Sequence, residues 1–416
     1  MKTVPLRSLA VVWTSSVDKH TVEGEIPIRL CNYTDAYKKD RVHAGDDLMR
    51  ATATAEEIKR NRLKVGDSVF TKDSEDPTDI GISAFVDGES DDFVCGYHLA
   101  IARPADDVHP RFLNWALRSR PVLDHFGNSA TGISRYGISI ADLRATPVPT
   151  PSDYGAQQQI ADFLDDSVSR IDRIIAARRE QLELAHLAFD SWWEKETVEL
   201  ASRGRVIPLR RVLDSIVDGP FGSSLTSQHY TDFGTRVVRL GNIGIADFRD
   251  DDRAYIADEY ADVLSGHAVR AGDLVMAGLG DERWPLGRCA VMPDIGPGIV
   301  KADCYRIRLR HGISHAYAAI ALSSPFARNR IGLLARGATR ARLNTDVARE
   351  APLVLVPPPD QESYVALWRR HRDDSARNTR ALEQSVDLLA EYKSSLITAA
   401  VTGELDVTTA SSNIPG

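Results

Sequence analysis

The stretch QQQIADFLDDSVSRID, residues 157–172, follows the proline-rich segment at residues 147–151 and opens a long run without proline or glycine. Apolar residues recur in this run every three or four positions, with Arg178 as the one polar break: Ile160, Leu164, Val168, Ile171, Ile175, Leu182, Ala185, Phe189 and Trp192. Such a narrow stripe is typical of a coiled-coil seam. We therefore predict a helix from Gln157 to about Thr197, roughly 60 Å long at about 1.5 Å per residue.

A second run of the same kind begins after the prolines at residues 357–359. Its apolar stripe consists of Leu382, Val386, Leu389, Tyr392 and Leu396. Amphipathic helices most often pack only on their own domain, but the predicted first helix is longer than a small domain is wide. We therefore expect the two helices to pair with each other.

The chain repeats itself once. RLCN at residues 29–32 recurs as RLGN at residues 239–242, and VGD at residues 65–67 recurs as AGD at residues 271–273. The words PLR, VPTP and DDS recur in the same order, and all these offsets lie between 203 and 210 residues. A unit of this length is too long for a solenoid repeat, so the pattern indicates a duplicated domain.

Each copy starts with short strand-like words separated by turn signals and continues into one of the long helices. This predicts an α/β (α+β) fold in which two globular domains are separated by two long helices, with pseudo-two-fold symmetry from the duplication. The expected bounds are globular domains at residues 1–155 and 201–359, helices at residues 156–200 and 360–404, and a flexible tail at residues 405–416.

Composition and motifs exclude several classes of function. No apolar run approaches membrane-spanning length, which predicts a cytoplasmic protein. The four cysteines are scattered without CxxC spacing, so we expect buried, reduced thiols and no metal site. No phosphate-binding glycine loop and no methyl-transfer motif is present. Pro359-Asp360 with Glu391 and Lys393 imitates a nuclease pattern, but Glu391 and Lys393 fall on different faces of a predicted helix.

The distribution of charge is more informative than the net charge of −8, which argues weakly against nucleic acid as a partner. Residues 327–349 carry six arginines against the single acid Asp346: Arg328, Arg330, Arg336, Arg340, Arg342 and Arg349. The first copy offers Arg135 beside Tyr136 at the matching place, and Lys38, Lys39 and Arg41 near Asn32. These residue types read base edges and phosphates, although most basic clusters are solvated loops. Both interpretations stay open at this point.

Several longer words resemble the specificity subunit of Type I restriction-modification enzymes, and the resemblance extends from about Val4 to Glu404. The words are RLCNYTDAYKKDRV, FTKDSEDPTDIG, VCGYHLAIARP, QQQIADFLDDSVSRID, DGPFGSSL and YKSSLITAAVTGELDV. Two departures stand out. The first helix ends FDSWWEKETVEL where the second has the small residues of YKSSLITAAVTGEL, and the first copy lacks the GPFG word.

The resemblance implies that each copy holds a target recognition domain for one half of a split DNA sequence. It also implies that the helices form an antiparallel coiled coil that sets the spacing and docks modification subunits, two in number. The chain would be the non-catalytic subunit of a Type I site-specific deoxyribonuclease and adenine-N6 DNA methyltransferase. S-adenosylmethionine, ATP and Mg²⁺ would be bound by the modification subunits and a motor-nuclease restriction subunit, and none by this chain.

The site residues that follow from the basic loops and the resemblance fall into two groups, with no catalytic residue and no metal ligand. The expected DNA-binding residues are Asn32, Lys38, Lys39, Arg41, Lys72, Arg135, Tyr136, Ser223, Ser224, Asn242, Arg336, Arg340 and Arg342. The expected partner-binding residues are Ile171, Ile175, Leu182, Trp192, Leu382, Val386, Leu389 and Leu396. The word GPFGSSL is expected to form either a tight turn or a set of backbone amides beside a DNA phosphate.

Overall fold

A computed structural model describes residues 1–281, 283–335 and 342–410. The chain divides into two compact units. Unit 1 comprises Met1–Arg179 and Glu383–Gly416, and unit 2 comprises Glu180–Leu382. Within the described ranges, no helix combines the length and the apolar character needed to cross a membrane.

Unit 1 is a mixed α/β domain whose short strands are mostly buried. Its strands are β1 (Lys2–Pro5), β2 (Ala10–Thr14), β3 (Ile26–Cys31), β4 (Arg41–Val42), β5 (Met49–Ala53), β6 (Ser68–Thr71), β7 (Asp73–Ser74), β8 (Ser83–Val86), β9 (Phe93–Cys95), β10 (Leu99–Pro104), β11 (Tyr136–Gly137) and β12 (Pro147–Thr150). Its short helices are α1 (Tyr33–Lys38), α2 (Ala55–Asn61), α3 (Pro110–Leu117), α4 (Arg120–Ser129) and α5 (Ile140–Ala145). The main sheet has the order β2-β10-β6-β8-β4, and a smaller sheet has the order β5-β3-β9.

The helix α6 (Tyr154–Arg203) leads from unit 1 into unit 2. Unit 2 contains β13 (Arg205–Pro208), β14 (Leu213–Val217), β15 (Tyr230–Thr231), β16 (Thr235–Val238), β17 (Tyr255–Ile256), α7 (Asp258–Val263), β18 (Ala268–Val269), β19 (Leu274–Ala277), β20 (Cys289–Val291), β21 (Gly298–Val300), β22 (Cys304–Leu309), α8 (His315–Ser323), α9 (Pro325–Leu334), α10 (Thr345–Arg349) and β23 (Pro352–Leu355). Its sheets have the orders β14-β22-β19-β20 and β15-β17-β16-β21-β18. The helix α11 (Pro358–Thr402) starts in unit 2 and ends in unit 1.

The two units share specific side-chain contacts as well as element order. Arg103 and Asp67 form a two-point ion pair with an N–O distance of 2.7 Å in unit 1, and Arg308 and Asp273 form the same pair at 2.7 Å in unit 2. The buried Gln157 accepts a hydrogen bond from the backbone N–H of His109 and donates one to a carbonyl of the preceding segment. Gln361 makes the corresponding pair of bonds in unit 2. The repeated words therefore encode a repeated fold.

The long helices pair in antiparallel fashion within each unit. In unit 1, Leu164 and Ile171 near the start of α6 share a core with Ile397 and Val401 at the end of α11. In unit 2, the indole N–H of Trp193 donates to the Tyr364 hydroxyl at 3.1 Å, which joins the end of α6 to the start of α11. The predicted fold class is confirmed. At 50 residues, α6 extends beyond the predicted helix at both ends and is about 75 Å long.

Two details of the helical stripes differ from the prediction. Tyr392 is 40% exposed, because the residues of α11 that are buried in the core of unit 1 are Leu396, Ile397, Ala400 and Val401. At the end of α6, Trp193 is fully buried, whereas the predicted stripe residue Trp192 is half-buried and stacks on His371 with ring centroids 3.9 Å apart.

The four cysteines are free thiols and all are buried. Burial raises the pKa of each thiol, including Cys31 and Cys289, so they are protonated near neutral pH. Lys393, part of the apparent nuclease pattern, instead forms an ion pair with Asp172 of α6 at 2.7 Å. It helps to hold the two long helices together within unit 1.

Candidate nucleic-acid interface

A polar cluster in unit 1 forms where β6 ends and β10 begins. Asp73 lies at its centre and is only 8% exposed. Three cationic or titratable side chains surround its carboxylate. Lys72 approaches it to 3.0 Å, His98 to 3.0 Å and Arg135 to 2.6 Å. The cluster therefore carries more cationic groups than its single carboxylate can neutralise.

The charges of this cluster are set by its geometry. Burial alone would raise the pKa of the Asp73 carboxyl, but hydrogen bonds from Lys72, His98 and Arg135 outweigh it and hold the pKa below its usual value. Asp73 is thus ionised at neutral pH. The ammonium of Lys72 also lies 4.6 Å from the centre of the exposed Tyr97 ring, which favours a cation beside the aromatic face. An ionised centre beside the half-exposed guanidinium of Arg135 is suited to binding an anionic or acceptor-rich ligand.

Arg135 reaches Asp73 because the chain returns to the end of β6 there. Tyr136 pairs with Ser74 in the short β7–β11 ladder, and the backbone N–H of Ile138 donates to the carbonyl of Lys72. These backbone bonds fix the segment that carries Arg135 and Tyr136. Two of the predicted DNA-binding residues, Lys72 and Arg135, are therefore brought together by tertiary structure.

Unit 2 places an arginine in the corresponding segment, although at the position that matches Gly137 and not Arg135. Arg342 forms a β-bridge with Leu279, just after β19, and the N–H of the next residue, Leu343, donates to the carbonyl of Gly278. Its guanidinium pairs with the carboxylate of Asp303, which directly precedes β22, at 2.8 Å. The guanidinium also lies 6.0 Å from the centre of the exposed Phe221 ring. Arg342 thus faces an open, partly aromatic surface.

Unit 1 contains a cavity of about 480 Å³, and unit 2 contains one of about 860 Å³. The cavity in unit 2 opens beside Arg342. Its lining includes Asp218, Phe221, Tyr305 and Asn344. Asp218 accepts hydrogen bonds from the backbone N–H groups of Gly219 (2.7 Å) and Asp303 (3.0 Å). Burial raises the pKa of Asp218 to about 6 despite these bonds. A titrating carboxyl therefore lies next to the candidate arginine.

The word GPFGSSL forms a tight turn. A Cβ on Gly219 would lie 2.0 Å from the backbone carbon of Lys301, so only glycine fits this close approach. Gly222 has a positive φ of 63° and opens a short 3-10 turn, Gly222–Ser224. Ser223 and Ser224 are exposed in that turn. They can reach a ligand, but whether they bind a phosphate stays a prediction.

The asparagines of the repeated words have structural roles, which corrects the prediction for Asn242. This residue is fully buried, its amide N–H groups donate to the carbonyls of Arg249 and Asp252, and its side-chain oxygen accepts from the N–H of Arg239. With every strong partner inside unit 2, Asn242 cannot read DNA. Asn32 is the N-cap of α1 and accepts from the N–H of Tyr33, so its carbonyl oxygen is committed as well.

The basic residues after Asn32 differ in how free they are. Lys39 pairs with Asp46 at 2.9 Å, and Arg41 lies 3.3 Å from Asp165 while its guanidinium covers the Phe85 ring. Lys38, at the exposed end of α1, forms no ion pair with any carboxylate in the described ranges. Lys38 is thus the more available cation of the three.

In the arginine-rich stretch, the predicted residues Arg336 and Arg340 lie outside the described residues. Arg328 is turned inward and pairs with Asp190 of α6 at 3.1 Å. Arg330 lies over the ring of Phe326 at 3.6 Å and donates to its carbonyl. Recurrence in sequence therefore does not make each of these arginines an equal candidate, and Arg342 has the clearest geometry.

The predicted partner-binding residues divide by burial. Ile171, Ile175 and Leu396 are at most 8% exposed and pack in the core of unit 1, so they hold the two helices of this chain to each other and offer no free surface. The remaining five are half-buried along the helices: Leu182, Trp192, Leu382, Val386 and Leu389. Their contact with another subunit stays a prediction.

Sequence reasoning missed the residues that hold the two arginines in place, namely Asp73, His98 and Asp303. Each lies within two residues of a buried strand, and polar residues at strand ends were the available signal. Their pairing could not be read from spacing, because Asp73 and Arg135 are 62 residues apart. In the described part of the chain, no group of His, Cys, Asp and Glu side chains is arranged to hold a metal ion.

Two solved structures share this fold along almost the whole chain. One is a chain from a structure addressing complex assembly and conformational transition of the type I R-M system, with a TM-score of 0.71 and 16% identity over 97% of this chain and 98% of that chain. The other is the HsdS subunit from Thermoanaerobacter tengcongensis, with a TM-score of 0.52 and 16% identity over 97% of each chain. No family model matches the sequence, and no curated protein matches it. The chain has the fold of the HsdS subunit of Type I restriction-modification systems, which confirms at the level of the fold the resemblance noted from its sequence.

Proposed function

We propose that this chain is the DNA sequence-specificity subunit of a Type I restriction-modification complex. The observation that carries the proposal is the duplicated fold, in which each unit holds a half-exposed arginine against a carboxylate. The two arginines lie in corresponding segments, but their carboxylates differ in position, because Asp73 follows β6 whereas Asp303 precedes β22. Two arginine sites of similar chemistry on a duplicated fold are suited to binding a two-part DNA sequence, one site for each half.

In this proposal the long helices have two roles. They set the distance between the two half-sites on DNA, and their half-buried apolar residues, such as Leu182 and Val386, contribute to docking two modification subunits. The buried seam residues hold the helices together and do not take part in docking.

Catalysis belongs to the partners in this proposal. The chain itself binds no cofactor. Modification subunits bind S-adenosylmethionine and methylate an adenine that is rotated out of the duplex. A restriction subunit, where it is present, binds ATP and Mg²⁺ and cleaves DNA.

Two alternatives remain distinct from this proposal. One is a freestanding protein that binds a bipartite DNA sequence without partners, and the other is a coiled-coil adaptor whose acidic surface never meets nucleic acid. The net charge of −8 is the observation that favours the adaptor. The half-exposed guanidinium groups of Arg135 and Arg342 favour DNA.

A binding experiment separates the three. The purified chain, alone and with its modification subunits, is incubated with a pool of random duplexes at low and at high salt, and the bound DNA is sequenced. We expect the complex to enrich a two-part sequence with a fixed gap, with affinity that falls as salt rises. Full selectivity by the chain alone would support the freestanding protein. Absence of any sequence preference in the complex would support the adaptor and contradict the proposal.

A further inference from the structure

We propose that Arg135 and Arg342 each read a guanine in the major groove, one in each half of the recognised sequence. This inference rests on the proposed function and adds to it the residue and the base. It is carried by the way in which the two guanidinium groups are held.

The two arginines have nearly the same geometry. In unit 1, Nε and Nη2 of Arg135 both donate to Oδ1 of Asp73, at 3.1 and 2.6 Å. In unit 2, Nε and Nη2 of Arg342 both approach Oδ1 of Asp303 at 2.8 Å. The arginine side chains are 51% and 53% exposed, while the carboxylates are 11% and 16% exposed. Each carboxylate therefore anchors the Nε–Nη2 edge of the guanidinium, while about half of the arginine side chain remains exposed.

The free edge has a defined chemistry. A guanidinium has five N–H donors, and a carboxylate that takes one from Nε and one from Nη2 leaves the donors of Nη1 and the second donor of Nη2. One of the two Nη1 donors and the remaining Nη2 donor are parallel; in unit 1 this Nη2 also lies 3.1 Å from Nδ1 of His98. Guanine presents two acceptors, N7 and O6, on its major-groove edge and matches such a pair. Adenine presents N7 beside the N6 donor, so one arginine N–H would face another donor.

The carboxylates also remove a cost of recognition. A free arginine side chain has several rotatable bonds, and ordering it on binding costs free energy. The ion pairs with Asp73 and Asp303 fix the guanidinium plane before DNA arrives. Lysine could not replace this arrangement, because a single ammonium cannot present two parallel donors in a plane.

The surroundings of the two arginines differ, which suits two half-sites of different sequence. In unit 1, His98 Nδ1 lies 3.1 Å from Arg135 Nη2, and Lys72 shares the Asp73 carboxylate. In unit 2 the neighbour is the exposed ring of Phe221. We expect the base pairs that flank the guanine to differ between the halves for this reason.

The test uses the complex with modification subunits and measures methylation of a DNA library in which every position of the recognised sequence is varied. The variants are Arg342→Ala, Arg342→Lys and Arg135→Ala. The matched controls are Arg203→Ala in unit 2 and Arg120→Ala in unit 1, which remove the same charge from exposed surface ion pairs. Each arginine variant should reduce discrimination at one guanine by roughly 5- to 150-fold and leave the other half unchanged. The controls should leave all positions unchanged.

A fourth variant, Asp303→Asn, tests the anchor. Asp303 has a positive φ of 65°, a conformation that asparagine also tolerates well, so the backbone is kept while the carboxylate charge is lost. Asp303→Asn should reduce discrimination at the guanine read by Arg342, but by less than Arg342→Ala does. Arg342→Lys keeps the positive charge, so a folded and active complex remains available even where the alanine variant is unstable.

The outcomes separate this inference from the proposed function. A wild-type complex without sequence preference would contradict the proposed function. A selective wild type whose arginine variants weaken all sequences alike, with a smaller salt dependence, would show phosphate contacts and overturn only the guanine inference. Variants that behave like the controls would overturn it as well.

Discussion

Asn242 shows that a residue repeated in both copies can have a structural role, because its side chain forms hydrogen bonds with backbone groups. It satisfies three backbone groups in unit 2, and Asn32 caps α1 at the matching place in unit 1. Asn32 directly follows β3, and Asn242 ends the 3-10 turn Leu240–Asn242 that comes after β16. Duplication preserved the local need for an amide side chain, so recurrence alone did not identify a DNA contact.

The structural role of Asn242 can be measured. Asn242→Ala leaves two carbonyls and one N–H without their partner in a buried place, and we expect the free energy of unfolding of unit 2 to fall by about 1–3 kcal/mol. The comparison is Asn32→Ala, which removes a more exposed helix cap and should cost about 1 kcal/mol. Urea unfolding followed by fluorescence measures both. Unchanged stability of Asn242→Ala together with altered DNA selectivity would restore the DNA-binding interpretation.

Asp218 predicts a pH dependence of stability. Because its folded-state pKa of about 6 lies above the ordinary value, the carboxyl binds its proton more tightly in the folded protein. Its stabilising contribution is complete below the ordinary pKa and is lost as the pH rises through about 6. Asparagine cannot titrate, yet its oxygen can still accept from the N–H groups of Gly219 and Asp303.

We therefore expect the stability of Asp218→Asn relative to wild type to increase from about pH 5 to about pH 7.5. The control is Asp214→Asn, which changes an exposed carboxyl on the preceding strand β14. Urea unfolding at the two pH values gives the comparison. A stability difference that is the same at both would show that Asp218 titrates normally.

At the scale of elements, the two units attach to the helices through different side chains at matching positions. Unit 2 uses Tyr364 and Trp368 of α11 with Trp193 and Thr197 of α6, and these four are buried. The repeat relates each of these four positions to one in unit 1 that is 204 residues earlier or later in the chain. The residues at those positions are Ile160 and Leu164 of α6 and Ile397 and Val401 of α11. This comparison explains part of the difference between the ends of the two long helices. Trp193 of α6 occupies, in the aromatic core of unit 2, the position that Ile397 of α11 occupies in unit 1.

Tyr364 gives this core its polar contacts and can be tested alone. Its hydroxyl accepts from Trp193 Nε1 at 3.1 Å and lies 2.6 Å from the Thr197 hydroxyl. Tyr364→Phe leaves the buried indole N–H of Trp193 unpaired and removes one bond from the Thr197 hydroxyl, which still donates to the carbonyl of Trp193. We therefore expect a loss of about 1–3 kcal/mol in the free energy of unfolding. Tyr392→Phe, which removes an exposed hydroxyl, should change stability by less than about 0.5 kcal/mol. Equal effects of the two substitutions in thermal and urea unfolding would contradict the assigned role of Tyr364.

The elements were more predictable from the sequence than the site. Helical spacing and proline stops located α6 and α11, because both signals are local in the chain. The choice between Trp192 and Trp193 was beyond such reasoning, since adjacent residues differ by only 100° around a helix and tertiary packing decides which one is buried. Arg342 was identifiable by composition, but its anchor Asp303 is 39 residues away, and only the folded chain brings the two together.

For the whole molecule, the net charge of −8 does not describe how the charges are arranged. The chain is acidic overall, yet carboxylates such as Asp73 and Asp303 lie behind arginines that remain half-exposed. Acidic residues in these places are paired with cationic ones, so under the proposed function they would orient the arginines that contact DNA. The pattern of pairing therefore carries the functional information that the sum of charges hides.

The proposed spacing role of the helices predicts the effect of an insertion. Four residues added to α6 near Arg178, with α11 unchanged, add about 6 Å of rise and roughly 40° of rotation beyond a full turn. Two base pairs of B-DNA advance a similar distance, at about 3.4 Å per pair. The gap between the half-sites should lengthen by about one or two base pairs while both half-site sequences stay the same. An active complex with an unchanged gap, seen by methylome sequencing, would show that the helices only attach domains and partners.

The central claim is that the two units read DNA independently. Exchanging residues 1–150 for the equivalent segment of a specificity subunit with a known, different sequence tests it most directly, with methylome sequencing of the host strain as the measurement. Our account predicts that one half of the methylated sequence changes to that of the donor, while the other half and the gap length remain as in the wild type. A complex that methylates DNA with both halves changed, or with neither changed, would contradict it.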